Sequence, residues 1–222
     1  MTFCLPLPPT IDTRRVSLTP FNLSIHGATY FKAHQAAGQE LERYLPISFP
    51  TYEAMVEFVE GVESNPNGAL FAIIDRTKTG DLSESLAGMI GFLNTNASNL
   101  ATEIAPVVIL PKFQRTFVAT NAIGALLKYT LDVEDGGGLG LRRVCWTAHP
   151  DNAASIKAAE RMGMRKEGHL RWTWALTPEK VGKTAGRGRG EKLGRDSVLL
   201  AVCWDDWEDG GKEKVEKLIE RP

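Results

Sequence analysis

The sequence predicts one main domain with an α+β fold, and three observations lead to this prediction. The predicted elements run in the order strand, two helices, three strands, helix, strand, helix and two strands, which is too irregular for a doubly wound parallel sheet. The chain has 222 residues, of which 43% are hydrophobic and 24% are charged, as in an ordinary folded domain. No internal repeat and no linker divides it, so we expect one main domain.

The strands are predicted from short apolar segments bounded by turn residues. In residues 15–21, Val16 and Leu18 alternate with polar residues, as on a half-buried strand. The remaining predicted strands cover residues 69–75, 86–94, 101–110, 142–148, 164–176 and 197–204.

The helices are predicted from apolar residues at helical spacing and from capping residues. Thr51 is a suitable N-cap for a helix that Asn65 and Pro66 end. Glycine at position 38 ends the first helix, and three consecutive glycines at 136–138 end the longest one. The other predicted helices cover residues 24–37, 116–132, 151–162 and 212–221.

Charge and composition exclude several classes of protein. A formal net charge of −1 argues against a dedicated nucleic-acid or membrane binder, which usually carries a basic excess. No apolar run approaches the roughly 18 residues of a membrane-spanning helix, and the proline-rich start lacks the features of a signal peptide. The three cysteines, Cys4, Cys145 and Cys203, have neither disulfide-framework nor metal-binding spacing. We therefore expect a cytoplasmic protein without a metal site.

The most specific motif lies between residues 152 and 171. It consists of NAAS at 152–155, AERMGM at 159–164 and EGHLR at 167–171. With the element order, these segments resemble the GNAT acyltransferase superfamily over roughly residues 15–208, especially its branch of ribosomal-protein N-terminal and small-molecule acetyltransferases. The resemblance implies a twisted, mixed and mostly antiparallel sheet of about seven strands flanked by helices. Residues 1–14 are then expected to be a lead-in outside the core, and residues 209–222 a charged C-terminal helix.

The resemblance also implies an activity, namely transfer of an acyl group from CoA directly to an amine. Acetyl-CoA is the expected co-substrate, and the amine of a small molecule is the expected acceptor. Two alternatives remain open: an acetyltransferase for protein N-termini, and a degenerate domain that acts as a binding or interaction protein. We expect a monomer or a homodimer.

The segment that opens the long helix is the expected site of the CoA pyrophosphate. QRTFVA at 114–119 matches the family pattern at its first and last residues, but Phe117 replaces a glycine. Backbone N–H groups at a helix start bind anions whatever side chain they carry, so we expect Phe117 to turn its ring inward. Taken alone, these six residues would favour an ordinary basic helix start. The residues implied here are Gln114, Arg115, Thr116, Phe117, Val118 and Ala119.

The pantetheine arm of CoA is expected between two diverging strands, residues 104–110 and 144–148. There it would pair with exposed backbone, including that of Ile109. Asn152 resembles the family asparagine whose side-chain amide reaches the arm, although it could instead cap the following helix. Ser155 lies on the same helical face and could donate a hydrogen bond to the departing thiolate, or could be an ordinary surface serine.

Glu103 is the first candidate for the base that deprotonates the amine. Many relatives have a carboxylate in this strand, where it could act directly or through a water molecule. A solvated strand glutamate is an alternative of equal weight. His169 and His149 are further candidates because histidine titrates near neutral pH, although each is more often a structural residue.

The acceptor is expected between the first two helices and the hairpin near the C-terminus. Candidate lining residues are Tyr30, Tyr44, Trp172 and Trp174, although aromatic residues belong more often to the core. The basic, glycine-rich stretch 180–195 could steer an anionic acceptor or the CoA phosphates, but its glycine content favours a flexible loop.

Overall fold

An eight-stranded mixed sheet forms the centre of the molecule. The computed structural model describes residues 3–221. Its strands are β1 (Ile11–Asp12), β2 (Val16–Pro20), β3 (Ala69–Asp75), β4 (Leu86–Asn96), β5 (Ala101–Ile109), β6 (Arg143–Ala148), β7 (Arg165–Ala175) and β8 (Gly194–Cys203). They lie in the order β1-β2-β3-β4-β5-β6-β8-β7. Neighbouring strands are antiparallel except β5 and β6, which run parallel. The prediction of a mixed, mostly antiparallel α+β fold is therefore confirmed, with eight strands rather than seven.

Helices connect the strands. They are α1 (Ala28–Ala37), α2 (Tyr52–Glu63), α3 (Leu82–Ser85), α4 (Phe117–Leu131), α5 (Ala153–Arg161), α6 (Trp204–Asp206) and α7 (Lys212–Glu220). A π-helical turn, Leu23–Gly27, leads into α1. The Thr51 hydroxyl accepts a hydrogen bond from the Ala54 N–H and so caps α2, as predicted. Gly38 ends α1 with a φ of 71°, a conformation that favours glycine. The caps predicted at Thr51 and Gly38 are confirmed, whereas the longest helix ends at Leu131, before the glycines at 136–138 that were expected to end it.

The first residues correct the expectation of a lead-in outside the core. Residues 11–12 form β1, which pairs with β2, and Ile11 is buried in the hydrophobic core. Farther upstream, the Tyr129 hydroxyl donates a hydrogen bond of 2.5 Å to the Pro6 carbonyl oxygen. A two-residue strand is too short to show alternating hydrophobicity, so its sequence pattern gave no signal. Residues 1–2, which the same expectation covered, lie outside the described residues.

The C-terminal helix α7 packs closely against α4. Val215 is fully buried, and Leu218 is nearly so. A Cβ atom placed on Gly124 of α4 would lie 2.6 Å from the Ile219 Cδ1 atom, so glycine at this position permits the close approach. The predicted charged helix is thus docked on the main domain. Pro222 lies outside the described residues.

Helices cover both faces of the sheet around β3, where residues 69–73 are consecutive and all buried. One face packs against α1 and α2, and the other against α4, which in turn contacts α7 and Met162 at the end of α5. The edge strand β7 is exposed along most of its length. Within residues 3–221, no helix has the length and apolar character needed to cross a bilayer.

Candidate active site

The parallel strands β5 and β6 diverge after a short stretch of pairing. Their pairing ends with Glu103 opposite Cys145. Beyond this point β5 pairs with β4 and β6 pairs with β8. Within the described chain, the facing edges at residues 104–109 and 146–148 therefore have no strand partner, and the backbone groups that point away from β4 and β8 face the cleft. Such a cleft can accept an extended, amide-containing chain as an added strand, as the resemblance implied.

The turn between β5 and α4 is exposed and ends in a capped helix. The Gln114 side-chain amide donates to the Ile109 carbonyl oxygen over 3.0 Å, which fixes the start of the turn to the end of β5. Arg115 is exposed and has a left-handed φ of 61°. Thr116 is the N-cap, and its hydroxyl oxygen accepts from the Val118 N–H at 3.3 Å. Because the first N–H groups of a helix lack intrahelical acceptors, the turn offers main-chain donors, a helix dipole and one cation to an anion.

Phe117 turns its ring towards the core, as expected. The ring is partly buried, and the Arg15 guanidinium lies 4.1 Å from its centroid. The same guanidinium donates to the Ile219 carbonyl oxygen over 3.4 Å, so the ring lies on the α7 side of the helix start. Phe117 has an ordinary negative φ, so replacing glycine here causes no backbone strain. Val118 is fully buried and Ala119 half-buried, so both offer a ligand mainly their backbone.

Replacing Phe117 with glycine is expected to destabilise the fold without weakening CoA binding. The loss of the packed ring and the helix penalty of glycine together predict about 2 kcal/mol of lost stability. Affinity for CoA should stay equal or rise slightly, because the anion contacts come from the main chain. Urea unfolding and calorimetric titration of the same variant measure both quantities. A gain in affinity on the order of a hundredfold would show instead that the ring obstructs the site.

Asn152 is the N-cap of α5, the structural alternative considered for it. Its side-chain oxygen accepts from the Ser155 N–H over 3.1 Å. Since an asparagine amide also carries two N–H donors, the same side chain can cap with its oxygen and donate with its nitrogen. The Ser155 hydroxyl oxygen accepts from the Trp146 indole N–H over 2.9 Å. This bond ties the start of α5 to β6, at the rim of the cleft, and leaves the Ser155 O–H available as a donor.

Two substitutions separate the roles of Asn152. Serine caps helices about as well as asparagine, whereas alanine does not. We therefore expect Asn152→Ser to keep the wild-type melting temperature and Asn152→Ala to lose about 1 kcal/mol of stability. Both should weaken CoA binding by about 1 kcal/mol, the loss of one hydrogen bond from the side-chain amide. If Asn152→Ser binds CoA like the wild type, the residue is a cap alone.

Glu103 is a buried and oriented carboxylate at the point where β5 and β6 part. The residue is 8% exposed to solvent. The Asn94 amide donates to its Oε2 atom over 2.7 Å, and the Thr147 hydroxyl donates to its Oε1 atom. Asn94 has a φ of 52° at an irregularity in the pairing of β4 with β5, a conformation that asparagine tolerates better than most residues. The alternative of a solvated strand glutamate is therefore wrong.

Two cavities adjoin this region. The first, called the Glu103 cavity, has a volume of about 340 Å³. It is lined by Glu103 together with Asn94, Ala101, Thr102, Cys145, Thr147, Leu170, Thr173, Trp174, Ser197 and Leu199. The second, called the Tyr44 cavity, has a volume of about 760 Å³ and lies between the α1–α2 connection, residues 149–151 and residues 179–181. Its wall includes His149 and Asp151, directly before Asn152.

The structure separates the two candidate histidines from Glu103. His169 lines neither cavity, and its Nε2 atom lies 2.8 Å from the Asp196 Oδ2 atom. His169 and Lys183 hold the pKa of Asp196 well below its usual range, so the group is an ion-pair cluster. His149 lines the Tyr44 cavity, and burial followed by the charge of Arg195 lowers its pKa. Of the three proposed bases, Glu103 alone faces the cavity at the cleft.

The four aromatic residues predicted to line the acceptor pocket lie in different environments. Tyr44 lines the Tyr44 cavity, and Trp174 lines the Glu103 cavity. Tyr30 is completely buried, and burial raises the pKa of its phenol, so its assignment to the pocket is wrong. It lies on the face of α1 that packs into the core. Trp172 is about half exposed with a φ of 56° and lines neither of these two cavities, so its assignment to the pocket stays a prediction.

The basic stretch 180–195 is anchored at both ends. Lys180 is mostly buried, and its ammonium donates to the Glu42 carbonyl oxygen over 2.7 Å. Lys183 pairs with Asp196, and Arg195 is buried. The exposed part of the stretch lies between these anchors, so the prediction of a solvated loop is confirmed for its middle only, and the flexibility of that part stays a prediction.

Sequence reasoning missed the residues that orient the predicted ones. Asn94 and Thr147 hold Glu103, and Trp146 holds Ser155. The only available signal was register. Once Glu103 is opposite Cys145, a residue two positions later on β6 must share that face.

Comparisons with known proteins address the family and the fold of the chain. A family model described as the acetyltransferase (GNAT) domain matches residues 15–165. A GCN5-related N-acetyltransferase from Brucella melitensis is 25% identical with a TM-score of 0.75, and the match covers 96% of this chain and 86% of that one. A probable GNAT-family acetyltransferase from Chromobacterium violaceum is 26% identical with a TM-score of 0.74, covering 94% and 93%. Mycobacterium smegmatis RimJ, solved with CoA-disulfide, is 17% identical with a TM-score of 0.67, covering 91% and 88%, and shows the fold alone.

No curated protein matches the chain. The family model nevertheless spans residues 15–165 of 222, well over half of the sequence. The structures of GNAT acetyltransferases superimpose on nearly its whole length. The protein is therefore a member of the GNAT acetyltransferase family.

Proposed function

We propose that the protein transfers an acyl group, first of all acetyl, from acyl-CoA directly to the amine of a small molecule. The observation that carries this proposal is Glu103, a buried carboxylate at the end of the β5–β6 pairing with a cavity beside it. A base in this position can reach an amine in the Glu103 cavity while the thioester of acyl-CoA lies in the cleft.

The residues around the cleft suit CoA in three places. The turn at residues 114–119 offers N–H groups and the Arg115 charge to the pyrophosphate. The edges of β5 and β6 offer backbone groups to the pantetheine amides. Asn152 adds a side-chain N–H, and Ser155 adds an O–H at the rim. Binding of CoA-disulfide by the mycobacterial RimJ, which shares the fold, supports CoA as the donor.

Glu103 is suited to accept the proton of an incoming ammonium group. A carboxylate has about four acceptor positions on its two oxygens, and Asn94 and Thr147 occupy one on each oxygen. The remaining positions can bind the ammonium and then take its proton. The neutral amine that results attacks the acyl carbon, and the C–S bond of the thioester breaks as the C–N bond forms. The second amine proton ends on the CoA thiolate, which leaves as the free thiol.

The size of the Glu103 cavity favours a small acceptor. Its volume of about 340 Å³ lies near the lower end of the roughly 300–1,000 Å³ common for small-molecule sites. Its lining combines several hydroxyl groups with the apolar side chains of Leu170, Trp174 and Leu199. We therefore place an amine with a modest apolar body ahead of a protein N-terminus.

A thiol-release assay with acetyl-CoA and a panel of acceptors tests the proposal. The panel contains primary amines of graded size, from ethanolamine to tyramine and spermidine, and short peptides that begin with serine or alanine. We expect release of free CoA with at least one small amine, and a product heavier by one acetyl group by mass spectrometry. Activity confined to the peptides would make the protein an N-terminal acetyltransferase. The absence of an acetylated product with every acceptor in the panel would contradict the proposal.

A further inference from the structure

Arg195 is a buried cation that no carboxylate pairs with in the described chain. The residue is 6% exposed. Its guanidinium donates to the Tyr44 carbonyl oxygen and, over 3.2 Å, to the Ser197 hydroxyl oxygen. The Nε atom is buried and has no hydrogen-bond partner within residues 3–221. Burial lowers the pKa of Arg195, and the charge of Glu103 acts in the opposite direction.

Such an arrangement is costly for a side chain whose role is stability alone. Taking a charge out of water carries a large desolvation penalty, and an apolar side chain of similar volume is often neutral or stabilising in its place. Natural cores place arginine in such positions rarely, and mostly where it is paired. Stability alone therefore does not explain a buried arginine at position 195, and we look for its role in the two groups that it contacts, the Tyr44 carbonyl and the Ser197 hydroxyl.

Those two groups belong to the walls of different cavities. Tyr44 lines the Tyr44 cavity, where its ring lies 5.3 Å from that of His149. Ser197 lines the Glu103 cavity, and its hydroxyl lies 2.8 Å from the Thr173 hydroxyl, which lines the same cavity. A planar guanidinium can join both walls because its donors diverge in a fixed fork, which an ammonium lacks.

We infer that Arg195 is a positioning residue for the acceptor. It holds residues 41–50, called the Tyr44 segment, against β8, so that the two cavities form one acceptor path that ends at Glu103. This inference rests on the proposed acyl transfer. In this arrangement the acceptor enters through the Tyr44 cavity and is then held in the Glu103 cavity, with its amine at Glu103 beside Ser197.

Three variants test the inference: Arg195→Met, Arg195→Lys and, as a matched control, Arg171→Met on the exposed part of β7. We expect Arg195→Met to melt at or above the wild-type temperature, because an apolar chain replaces a buried charge. Amide hydrogen exchange at residues 41–50 should accelerate about tenfold (~1.4 kcal/mol). The KM of the best amine from the panel should rise about tenfold, while the Kd of CoA stays within about twofold. For Arg195→Lys, the exchange rate at residues 41–50 and the acceptor KM should lie between those of Arg195→Met and the wild type. Arg171→Met should match the wild type in both quantities.

The inference is overturned if Arg195→Met loses stability while exchange at residues 41–50 and the acceptor KM stay unchanged. It is also overturned if the Kd of CoA changes as much as the acceptor KM. Failure of the proposed function has a different signature, since the wild type would then acetylate no amine or peptide. In that case the exchange experiment still decides whether Arg195 fixes the Tyr44 segment.

Discussion

Replacing Glu103 with glutamine is expected to lower kcat about 100-fold or more, the lower end of the range for loss of a general base. Glutamine has the shape of glutamate but cannot accept a proton at neutral pH. It retains a carbonyl oxygen for the Asn94 amide, and the Thr147 hydroxyl can rotate to accept from its N–H. The fold and the affinity for CoA should therefore persist. Steady-state kinetics with the best amine, together with a CoA titration, measure the effect.

Glu167→Gln on β7 is the control for this substitution. Glu167 is a partly exposed carboxylate paired with Arg143, so its loss removes one surface ion pair. Pairs of this kind contribute roughly 0–1 kcal/mol, and kcat should stay close to that of the wild type. A Glu103→Gln variant with normal kcat would remove Glu103 from the mechanism, whatever its position in the structure.

Replacing Gly88 with alanine is expected to cause the largest loss of stability of any substitution considered. Gly88 has a φ of 156° on β4, opposite Ile109 of β5. A Cβ atom there would lie 2.0 Å from the Val108 carbonyl oxygen, a distance that no side chain adopts. Because the clash is with backbone, β4 and β5 must separate locally, at a cost on the order of 3 kcal/mol or more. Urea unfolding measures the loss.

Gly168→Ala provides the comparison, because an added Cβ atom at this position of β7 meets no atom within 4 Å. Its stability should stay within about 0.5 kcal/mol of the wild type. Since β5 forms one side of the cleft, Gly88→Ala should also weaken CoA binding in whatever fraction remains folded. Equal stability of the two variants would contradict the close approach of β4 and β5.

The fold was largely predictable because its longer elements carry clear local signals. β3 was predicted with its observed bounds, and α4 within one residue at each end, because an apolar run and a Thr116 cap mark them. The missed elements are short. β1 has two residues and α3 has four, and neither length can show a periodic pattern.

The candidate site was predictable where it depends on main chain and motif, and not where it depends on tertiary contacts. The turn at 114–119 and the divergence of β5 and β6 follow from the resemblance. The bonds from Asn94 and Thr147 to Glu103 depend on strand register and on one left-handed residue, which no local pattern reveals. Tyr30 was misassigned because an aromatic residue on an amphipathic helix gives the same signal in a pocket wall and in a core.

A calorimetric titration of acetyl-CoA into the wild-type protein measures directly whether the cleft between β5 and β6 binds acyl-CoA. We expect one site per chain with a Kd well below about 1 mM (−4.1 kcal/mol), and weaker binding by Asn152→Ser under the same conditions. A rise in melting temperature with acetyl-CoA should accompany the heat, because ligand bound only to the folded state stabilises it. If millimolar acetyl-CoA produces no heat of binding and no rise in melting temperature, the cleft does not bind acyl-CoA and the proposed function is wrong.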